Sequence, residues 1–507
     1  MKKYLTLSII LLSFELSASI YIKPYLQQSL PNSQIIMWED DSSRSLKLYF
    51  HETDSDLISE VFGSKISNHP RSKSLYRAVL KDLKPGTNYT YYFDKLKNKF
   101  NFTTINTNNS SFTFLVMSDA QRGHKVTTKN IRESVLKYNF NEEQNIFYPL
   151  RFILFAGDLV QSGKDHRRWK KEFFDPLAPL ISRVPVYPAI GNHEENNKLY
   201  FNYFDLPQNG ENEHWYSFIQ GNVAFIGLDT NKKYRVAKQL LWLEKQLIIF
   251  ANDSSIDFVV TQFHHPHKSE LWNRGETEYS GEIEKRLKSF SSKTKKPSIY
   301  FCGHAHGYSR GHSNNSNHTM VIVGSIGGPI DDWGDYRQRD YQEYFKSLAQ
   351  FGWVKVEVTD GHNPQMYIRR YSFGDDRYQF DMGVVDEFVL KKHNLNPEKP
   401  ELLSLIVKER SLFNYIVQLK ISNFVDIDSD HHLMTQVMVI NSKNDSKLLS
   451  INNENWYKGI DLMRGIDLEN PFVDINSLPS GKYTMKVRFR DSSLAWSEWS
   501  NSLRIIK

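Results

Sequence analysis

The chain has 507 residues, and its 64 basic residues exceed its 58 acidic ones by a net charge of only +6. A hydrophobic share of 40% and an aromatic share of 14% are typical of a folded protein, which excludes an intrinsically disordered chain and a simple coiled coil. The near balance of charge argues against a polyanion binder, so no nucleic-acid partner is expected. A chain of this length is expected to form about two to four domains.

Residues 1–19 have the layout of a signal peptide. Lys2 and Lys3 precede an apolar stretch at 5–14, and small residues follow at 17–19. We therefore expect this segment to be removed and the protein to be exported, to a bacterial periplasm or to the medium. A retained membrane anchor is the alternative, although the stretch is short for a bilayer span. No later segment is apolar enough to span a membrane, so no span is expected after signal removal.

Residues 20–108 are expected to form an all-β module. Short β-rich runs at 34–38, 46–50 and 89–93 are separated by turn residues, as in Lys84-Pro85-Gly86-Thr87. This pattern is typical of a β-sandwich. The polar stretch at 106–111 is expected to be a linker.

Residues 109–385 change to apolar runs that alternate with helical segments. This alternation predicts an α/β domain in which helices cover the sheet. A helix is expected at 237–250, where apolar residues recur on one face. Candidate strands lie at 112–117, 152–155, 184–190, 223–228, 258–263, 298–301 and 320–323, with 353–358 and 366–371 completing the sheet.

The C-terminal part returns to β-type alternation. A segment with two prolines, 386–400, is expected to be a linker, and 401–507 a second β-sandwich. The run Trp496-Ser497-Glu498-Trp499-Ser500 resembles the WSxWS element of fibronectin-like modules in cytokine receptors. Receptor-like recognition is one interpretation, and stacking of basic side chains on the tryptophans is the one we favour. The module is expected to bind a partner or to pack on the α/β domain.

Short polar motifs follow five of the predicted strands of the α/β domain. Because open α/β sheets place their ligands beyond the carboxyl ends of the strands, we expect these motifs to lie together. Their carboxylate, amide and imidazole groups suit two divalent ions. The motifs are Ser118-Asp119-Ala120-Gln121, Gly157-Asp158-Leu159-Val160, Gly191-Asn192-His193-Glu194, Phe263-His264-His265-Pro266 and Gly303-His304-Ala305-His306.

The single cysteine, Cys302, lies at a predicted strand end beside the last motif. It excludes an intramolecular disulfide, which for an exported protein favours a bacterial source. No thiolate is needed among the candidate ligands, so we expect Cys302 to be a small buried residue.

In this order the motifs resemble those of the calcineurin-like metallophosphoesterase superfamily, whose blocks run DxH, GDxx, GNHE, a histidine before HP, and GHxH. The run 303–310 is similar to the GHxHxYxR block of purple acid phosphatases. The run 22–26, Trp38 and the turn at 83–89 resemble the fibronectin type III-like domain that precedes the catalytic domain in that family. The resemblance covers about residues 20–375. It implies a four-layer αββα core at 109–385, flanked by the two sandwiches.

The resemblance also implies two metal ions. The ligands that it implies are Asp119 and His306 for one ion, Asn192, His264 and His304 for the other, and Asp158 for both. Gln121 stands where the superfamily usually has a histidine. Gln161 stands where purple acid phosphatases usually have a tyrosine. Either amide oxygen could complete the first site. Neither is a phenolate, so we expect a colourless enzyme with two divalent ions, Mn, Zn or Fe(II).

These groups suit the hydrolysis of phosphate esters. Two carboxylates and two divalent ions leave a charge near +2, which favours an anionic substrate, and attack by a metal-bound hydroxide is expected. His193 is expected to stabilise developing charge or to protonate the leaving group, with a supporting role beside the metals as the alternative. His265 and His267 are expected to contact the substrate or to be ordinary loop histidines. Arg310 either binds an anion or braces its loop, and His166 is expected at the surface.

The leading hypothesis is an exported phosphatase that acts on phosphate monoesters, similar to acid phosphatases. A phosphodiesterase or nucleotidase would use the same site. From a different class, the chain could be a surface interaction protein on a phosphoesterase scaffold, as two flanking sandwiches allow. The retained candidate ligands argue against that reading.

Overall fold

The computed structural model describes residues 20–507 except 42–45, 95–97, 107–110, 142, 144–146, 148, 412–413, 454–455, 459 and 463–466. The expected signal peptide at 1–19 lies outside the described residues, as does most of the expected linker at 106–111. Within the described ranges, no helix has both the length and the apolar character that crossing a membrane requires.

The first module is a β-sandwich of two four-stranded antiparallel sheets. Its strands are β1 (Ile22–Gln27), β2 (Gln34–Asp41), β3 (Lys47–Glu52), β4 (Ser59–Phe62), β5 (Ser64–His69), β6 (Lys73–Leu80), β7 (Asn88–Phe93) and β8 (Phe100–Thr103). The sheet orders are β1-β2-β6-β5 and β4-β3-β7-β8. Between the sheets, the ring of Trp38 packs against Tyr76 and Phe93.

The central domain is built on two mixed sheets. Its strands are β9 (Phe112–Met117), β10 (Leu150–Phe155), β11 (Val186–Pro188), β12 (Tyr216–Gln220), β13 (Val223–Gly227), β14 (Phe258–Gln262), β15 (Ser298–Cys302), β16 (Tyr308–His312), β17 (His318–Ile322), β18 (Tyr344–Leu348), β19 (Phe351–Thr359), β20 (Gln365–Gly374) and β21 (Gln379–Lys391). One sheet has the order β11-β10-β9-β19-β20-β21, and the other begins β12-β13-β14-β15-β17-β16-β18. All residues of β9 and β10 are buried, as expected for strands covered on both faces.

The helices of the central domain are short except for two. The α-helices are α1 (His124–Asn130), α2 (Leu136–Asn139), α3 (His166–Arg168), α4 (Asp175–Ile181), α5 (Lys198–Tyr203), α6 (Ala237–Asn252) and α7 (Glu278–Thr294). Single π-helical segments, Ile131–Val135 and Trp169–Phe174, continue α1 and α3. The segments Lys232–Tyr234 and Asn273–Gly275 are 3-10 turns. The predicted helix at 237–250 corresponds to α6.

Aromatic residues fill the space between the two central sheets. Phe114 and Phe152 of the first sheet lie 5.2 and 5.0 Å from Phe225 of the second, measured between ring centroids. On the outer face of the second sheet, Leu243 of α6 and Leu287 of α7 pack into a buried apolar cluster. The predicted α/β core between two all-β ends is therefore confirmed.

The C-terminal module is a β-sandwich that also enters the central domain. Its strands are β22 (Leu402–Ser411), β23 (Asn414–Ile421), β24 (His432–Asn441), β25 (Lys447–Asn453), β26 (Trp456–Tyr457), β27 (Ile460–Asp461), β28 (Phe472–Asp474), β29 (Lys482–Asp491) and β30 (Leu503–Ile506). The sandwich sheets are β22-β23-β28 and β25-β24-β29-β30. The short hairpin β26-β27 pairs instead with β18 and extends the second central sheet to nine strands.

The tryptophan-rich run near the C-terminus stacks on arginines, as we favoured from the sequence. The Arg488 guanidinium lies 4.0 Å from the Trp496 ring centroid and 4.6 Å from that of Trp499. The same region contacts the central domain, because the Trp496 indole donates to the carbonyl of Asn314 over 3.0 Å. The module thus packs on the α/β domain, one of the two expected possibilities.

Strand β21 runs past the domain end that we expected at residue 385. It continues to Lys391, inside the segment 386–400 that was expected to be a linker. Phe388 and Leu390 belong to the buried core, and Asp386 is held by a buried ion pair described below. The charged residues of this strand suggested an exposed linker, because the sequence does not show that a partner such as Arg310 lies beside Asp386.

His166 is buried, contrary to the surface position expected from the sequence. It begins α3 and its Nε2 lies 2.5 Å from the Glu39 carboxylate of the first module. His69 and Tyr203 contact the other oxygen of Glu39, at 3.1 and 2.7 Å. Burial is tolerated because this carboxylate supplies the partner that a buried imidazole needs.

Candidate metal centre

The predicted ligands lie in the loops directly after buried strands. These loops follow β9, β10 and β11 in one central sheet and β14 and β15 in the other, and the stacking of the sheets brings them to one end of the core. In that order the loops carry Asp119 with Gln121, Asp158, Asn192, His264, and His304 with His306.

Glycines let the ligand loops approach one another closely. A Cβ on Gly303 would lie 2.3 Å from Oδ2 of Asp119, so no larger residue fits without displacing that carboxylate. Gly157 has a φ of +91°, and a Cβ there would lie 2.5 Å from the His264 ring. The glycines of these motifs are therefore required by packing around the site.

One group of donor atoms gathers around Asp119 and His306. Nε2 of His306 lies 3.3 Å from Oδ1 of Asp119 and 2.9 Å from the amide nitrogen of Gln121. That amide nitrogen is 3.3 Å from Oδ2 of Asp158. Two ligand atoms bound to one cation at about 2.1 Å in tetrahedral geometry are about 3.4 Å apart, so the spacing of the His306 nitrogen and the Asp119 oxygen suits a single ion.

A second group gathers around His264. Its Nε2 lies 3.1 Å from Oδ2 of Asp158 and 3.1 Å from Oδ1 of Asn192. The ligand atoms of Asp158, His264 and His304 lie within 4.8 Å of one another. Oδ2 of Asp158 thus contacts His264 in this group and the Gln121 amide in the first, a position that suits a carboxylate shared by two ions.

Backbone carbonyls orient the histidines of both groups. Nδ1 of His264 donates to the carbonyl of Ala156 over 2.8 Å, and Nδ1 of His306 contacts the carbonyl of Pro329. Both bonds turn Nε2 toward the carboxylates, the arrangement found for metal-binding histidines. Burial by itself would lower the pKa of His264, but Asp158 outweighs it and raises that pKa to about 9. The site thus favours positive charge at this position.

The Glu194 carboxylate ties two of the ligand loops together, a role that we did not infer from the sequence. Oε1 accepts from the amides of Leu159 and Val160, at 2.8 and 3.3 Å. Oε2 accepts from the amides of Asp158 and Gly191, at 3.0 and 2.7 Å. Glu194 is fully buried, so these four bonds fix the loop of Asp158 against that of Asn192. Its place in the GNHE motif was the available signal.

The family model of calcineurin-like phosphoesterases matches residues 112–308, which contain all of these loops. This stretch is a calcineurin-like phosphoesterase domain. A purple acid phosphatase from yellow lupin (Lupinus luteus) seeds has a similar fold, with a TM-score of 0.56 and 17% identity over 73% of this chain and 74% of that one. A putative 5′-nucleotidase from Staphylococcus aureus aligns less well, over 57% of this chain and 55% of its own, at 16% identity and with a TM-score of 0.31. None of the curated proteins matches the sequence.

His193 lies at the open side of the phosphoesterase site. Its side chain is 30% exposed, and its Nε2 is 3.9 Å from Oδ2 of Asp158. Nδ1 is held by the carbonyl of Gln161 over 2.9 Å, and the His193 amide donates to Oδ1 of Asp158. The ring is therefore oriented by its own loop and can still reach a bound molecule.

Neighbouring side chains hold both His265 and His267. His265 is buried, its Nδ1 lies 3.0 Å from the Thr230 hydroxyl, and its ring centroid is 4.3 Å from that of His304. Burial and the neighbouring His264 lower the pKa of His265 well below its ordinary value, so the ring is neutral. His267 instead pairs with Glu284 on α7, at 3.4 Å.

Arg310 braces the domain, the second of the two roles that the sequence allowed. Its Nε and Nη2 donate to the two carboxylate oxygens of Asp386, over 2.7 and 3.1 Å. The Tyr308 hydroxyl donates to the same carboxylate over 2.7 Å. All three residues are buried, so the run after His306 is joined to β21 rather than to substrate.

Two buried amide oxygens suit the phosphoesterase site to cations. In the described part of the chain, neither Oε1 of Gln121 nor Oε1 of Gln161 has a hydrogen-bond partner. A buried polar atom without a partner costs about 1–3 kcal/mol, which a ligand can offset. With the paired carboxylates and oriented imidazoles, the donor set fits two divalent ions and contains no thiolate, since Cys302 is buried in the apolar core as expected.

Proposed function

We propose that the protein is an exported phosphatase that hydrolyses phosphate monoesters with two divalent metal ions. The observation that carries the proposal is the position of Asp158, whose Oδ2 lies 3.3 Å from the Gln121 amide in one donor group and 3.1 Å from His264 in the other. We assign Asp119, Gln121, Asp158 and His306 to the first ion. Asp158, Asn192, His264 and His304 would hold the second.

The ions would supply the Lewis acid, lower the pKa of a bound water and neutralise the phosphoryl group. With two carboxylates among the ligands, two divalent ions leave a charge near +2, which suits the dianion of a monoester. Mn, Zn or Fe(II) fit a donor set of carboxylates, amides and imidazoles. Because position 161 is an amide rather than a phenolate, we expect the purified protein to lack a strong visible absorption band.

His193 is our candidate for the catalytic proton donor. It is the exposed imidazole beside the bridging carboxylate, and the bond from Nδ1 to the Gln161 carbonyl leaves Nε2 facing the site. In this role Nε2 would donate a proton to the leaving oxygen or stabilise its charge. For His265, a positioning role behind His304 accounts for its burial better than the catalytic role suggested by the sequence.

The decisive test is hydrolysis after defined metal loading. Protein treated with a chelator should be inactive, and Mn²⁺ or Zn²⁺ should restore activity toward a chromogenic phosphate monoester, with two ions per chain by elemental analysis. The matching diester, assayed in parallel, tests the phosphodiesterase alternative. Equal or faster diester hydrolysis would overturn the monoester assignment, and absence of any metal-dependent hydrolysis would favour the non-catalytic interpretation.

Export is a separate part of the proposal and rests on the N-terminal sequence. Lys2 and Lys3, the apolar stretch at 5–14 and the small residues at 17–19 are its support. Expression in a bacterial host followed by cell fractionation should yield a periplasmic or secreted protein that has lost these residues. Intact mass measurement distinguishes the processed chain from one that keeps Met1 and stays with the cells.

A further inference from the structure

An aromatic surface adjoins the proposed metal centre. The Trp272 ring centroid lies 4.8 Å from that of His304 and 5.9 Å from that of Tyr336. Trp272 is partly exposed and Tyr336 is exposed, with 36% of its surface accessible. We refer to Trp272 and Tyr336 as the aromatic rim. Within this rim, Trp272 packs directly on His304, a candidate ligand of the second ion.

The loop that carries Tyr336 is fastened to the other candidate ligand of the same motif. The amide of His306 donates to the Asp331 carboxylate over 2.7 Å, and the amide of Asp331 donates to the carbonyl of His306 over 2.9 Å. The carbonyl of Pro329 contacts the ring of His306. These bonds hold the start of the loop against the site, so the position of Tyr336 is coupled to that of the metal ligands.

The loop that carries Trp272 is fastened as well. A Cβ on Gly275 would lie 2.8 Å from the His304 ring and 3.0 Å from Trp272, so this turn packs tightly on both rings. Tyr341 bridges the two rim loops, with its amide donating to Glu270 and its hydroxyl to Glu276, each over 2.8 Å. The aromatic rim is therefore a built surface rather than two independent side chains.

The C-terminal module supports the rim from outside. Tyr457 on the β26-β27 hairpin lies 5.8 Å from the ring of Trp333, three positions before Tyr336 in the same loop. Trp456 pairs with Lys346 of β18, which joins this hairpin to the catalytic sheet. The C-terminal module therefore contacts the rim loop through the hairpin that it adds to the nine-stranded sheet.

We propose that the preferred substrates are phosphate esters whose leaving group carries an aromatic ring, which stacks on Trp272 and Tyr336. This inference rests on the proposed function, because the ions must hold the phosphoryl group at one end of the substrate. A planar ring attached to that group lies where the rim begins and can stack on both ring faces, whereas an alkyl or sugar alcohol gains only weaker apolar contacts. Stacking of a base on an aromatic side chain contributes about 1–3 kcal/mol, or roughly 5- to 150-fold in binding.

Two hydrolysis-resistant inhibitors test the rim without the confounding effect of leaving-group reactivity. Phenylphosphonate and methylphosphonate present the same anion, with and without a ring. In the metal-loaded wild-type protein, phenylphosphonate should inhibit at a lower concentration than methylphosphonate. In Tyr336→Ala, the inhibition constant for phenylphosphonate should rise about 2- to 10-fold, the range of a single ring contact, while that for methylphosphonate stays constant. Tyr336→Phe should behave like the wild type.

Trp272→Leu should give the larger loss of selectivity, and its metal content must be measured because Trp272 packs on His304. Tyr415→Ala, which removes an equally exposed tyrosine (37%) from the C-terminal sandwich, is the matched control and should change neither constant. If phenylphosphonate and methylphosphonate inhibit the wild type equally, or if Tyr336→Ala weakens both alike, the aromatic rim is not a substrate surface. If neither compound inhibits an enzyme that is active, the aromatic rim is likewise not a substrate surface. Loss of all metal-dependent hydrolysis in the wild type would instead refute the proposed function.

Discussion

The Asp158 carboxylate links the two donor groups of the proposed metal centre. Oδ2 of Asp158 is shared by both donor groups, and its Oδ1 accepts from the amide of His193. One carboxylate therefore positions both groups and the loop of the candidate proton donor. Replacing it by an amide keeps the shape but removes the charge and turns one of the acceptors into a donor.

For Asp158→Asn we expect loss of at least one ion per chain and a fall in monoester hydrolysis of more than roughly 100-fold, the upper range for groups that only surround a metal. Elemental analysis and steady-state kinetics measure the two effects, and circular dichroism checks that the fold is kept. Asp54→Asn, at an exposed position of the first module, is the control. Full activity in Asp158→Asn would show that the site is assigned wrongly.

Glu194 gives a prediction that separates positioning from ligation. In Glu194→Gln, the amide group would face two backbone N–H donors, so two of the four bonds are lost and we expect the free energy of unfolding to fall by about 2–4 kcal/mol. Metal affinity should fall by roughly 10- to 100-fold. Titration of the chelated protein with Zn²⁺ and denaturant unfolding measure these quantities. Glu195→Gln, at the neighbouring, partly exposed position, should leave both unchanged.

At the level of elements, β2 of the first module is joined to α3 and α5 of the central domain by a buried ionic network. Burial by itself would raise the pKa of Glu39, but hydrogen bonds from His166, His69 and Tyr203 outweigh it and lower that pKa to about 2. The carboxylate is thus ionised in the folded protein where it would already be protonated in the unfolded chain. This network makes the contact between the two modules sensitive to acid.

The pH dependence follows from the direction of this shift. Because the folded pKa is depressed, the stabilisation is complete above the unfolded value of about 4.3 and is lost as the pH falls toward about 2, a total of about 3 kcal/mol. Denaturant unfolding at a series of pH values should therefore show a steeper loss of stability below pH ~4.5 in the wild type than in Glu39→Gln. Parallel curves for the two proteins would contradict this account.

At the level of the whole molecule, the C-terminal module is docked rather than tethered. Arg490 is fully buried, and its Nη2 donates to the carbonyls of Ser313 and Ser316 in the central domain, over 2.8 and 3.3 Å. Trp496 donates to the same loop. Together with the β18–β26 pairing, these contacts hold the module at two places. Arg490 and Trp496 contact the loop at 313–316, whereas Tyr457 of the β26-β27 hairpin contacts the loop that carries the aromatic rim.

For Arg490→Ala we expect weakened docking, because carbonyls buried at the contact lose a charged donor, at a cost of about 1.5–3 kcal/mol. Limited proteolysis should then cut faster in the connection around residues 392–401, and thermal unfolding should begin earlier. Arg504→Ala, at an exposed position of strand β30, serves as the control. An unchanged cleavage rate in Arg490→Ala would show that the Trp496 contact and the β18–β26 pairing hold the module without Arg490.

The core of the fold and the candidate ligands were predictable because they depend on local patterns. Buried strands such as β9 and β10 are mostly apolar runs, and parallel strands place whatever follows them at one edge. Asp119, Asp158 and His264 therefore had to lie near each other once their strands were identified.

Contacts between distant segments were decided only by the tertiary structure. Three such contacts join residues far apart in the chain. They are the Arg310–Asp386 pair, the contact of buried His166 with Glu39, and the pairing of Trp456 with the second central sheet. A charged residue looks the same in a sequence whether it faces water or a buried partner, and only the folded packing distinguishes the two. The proximity of the ligand loops could thus be predicted from the sequence, whereas the contacts between distant segments that surround them could not.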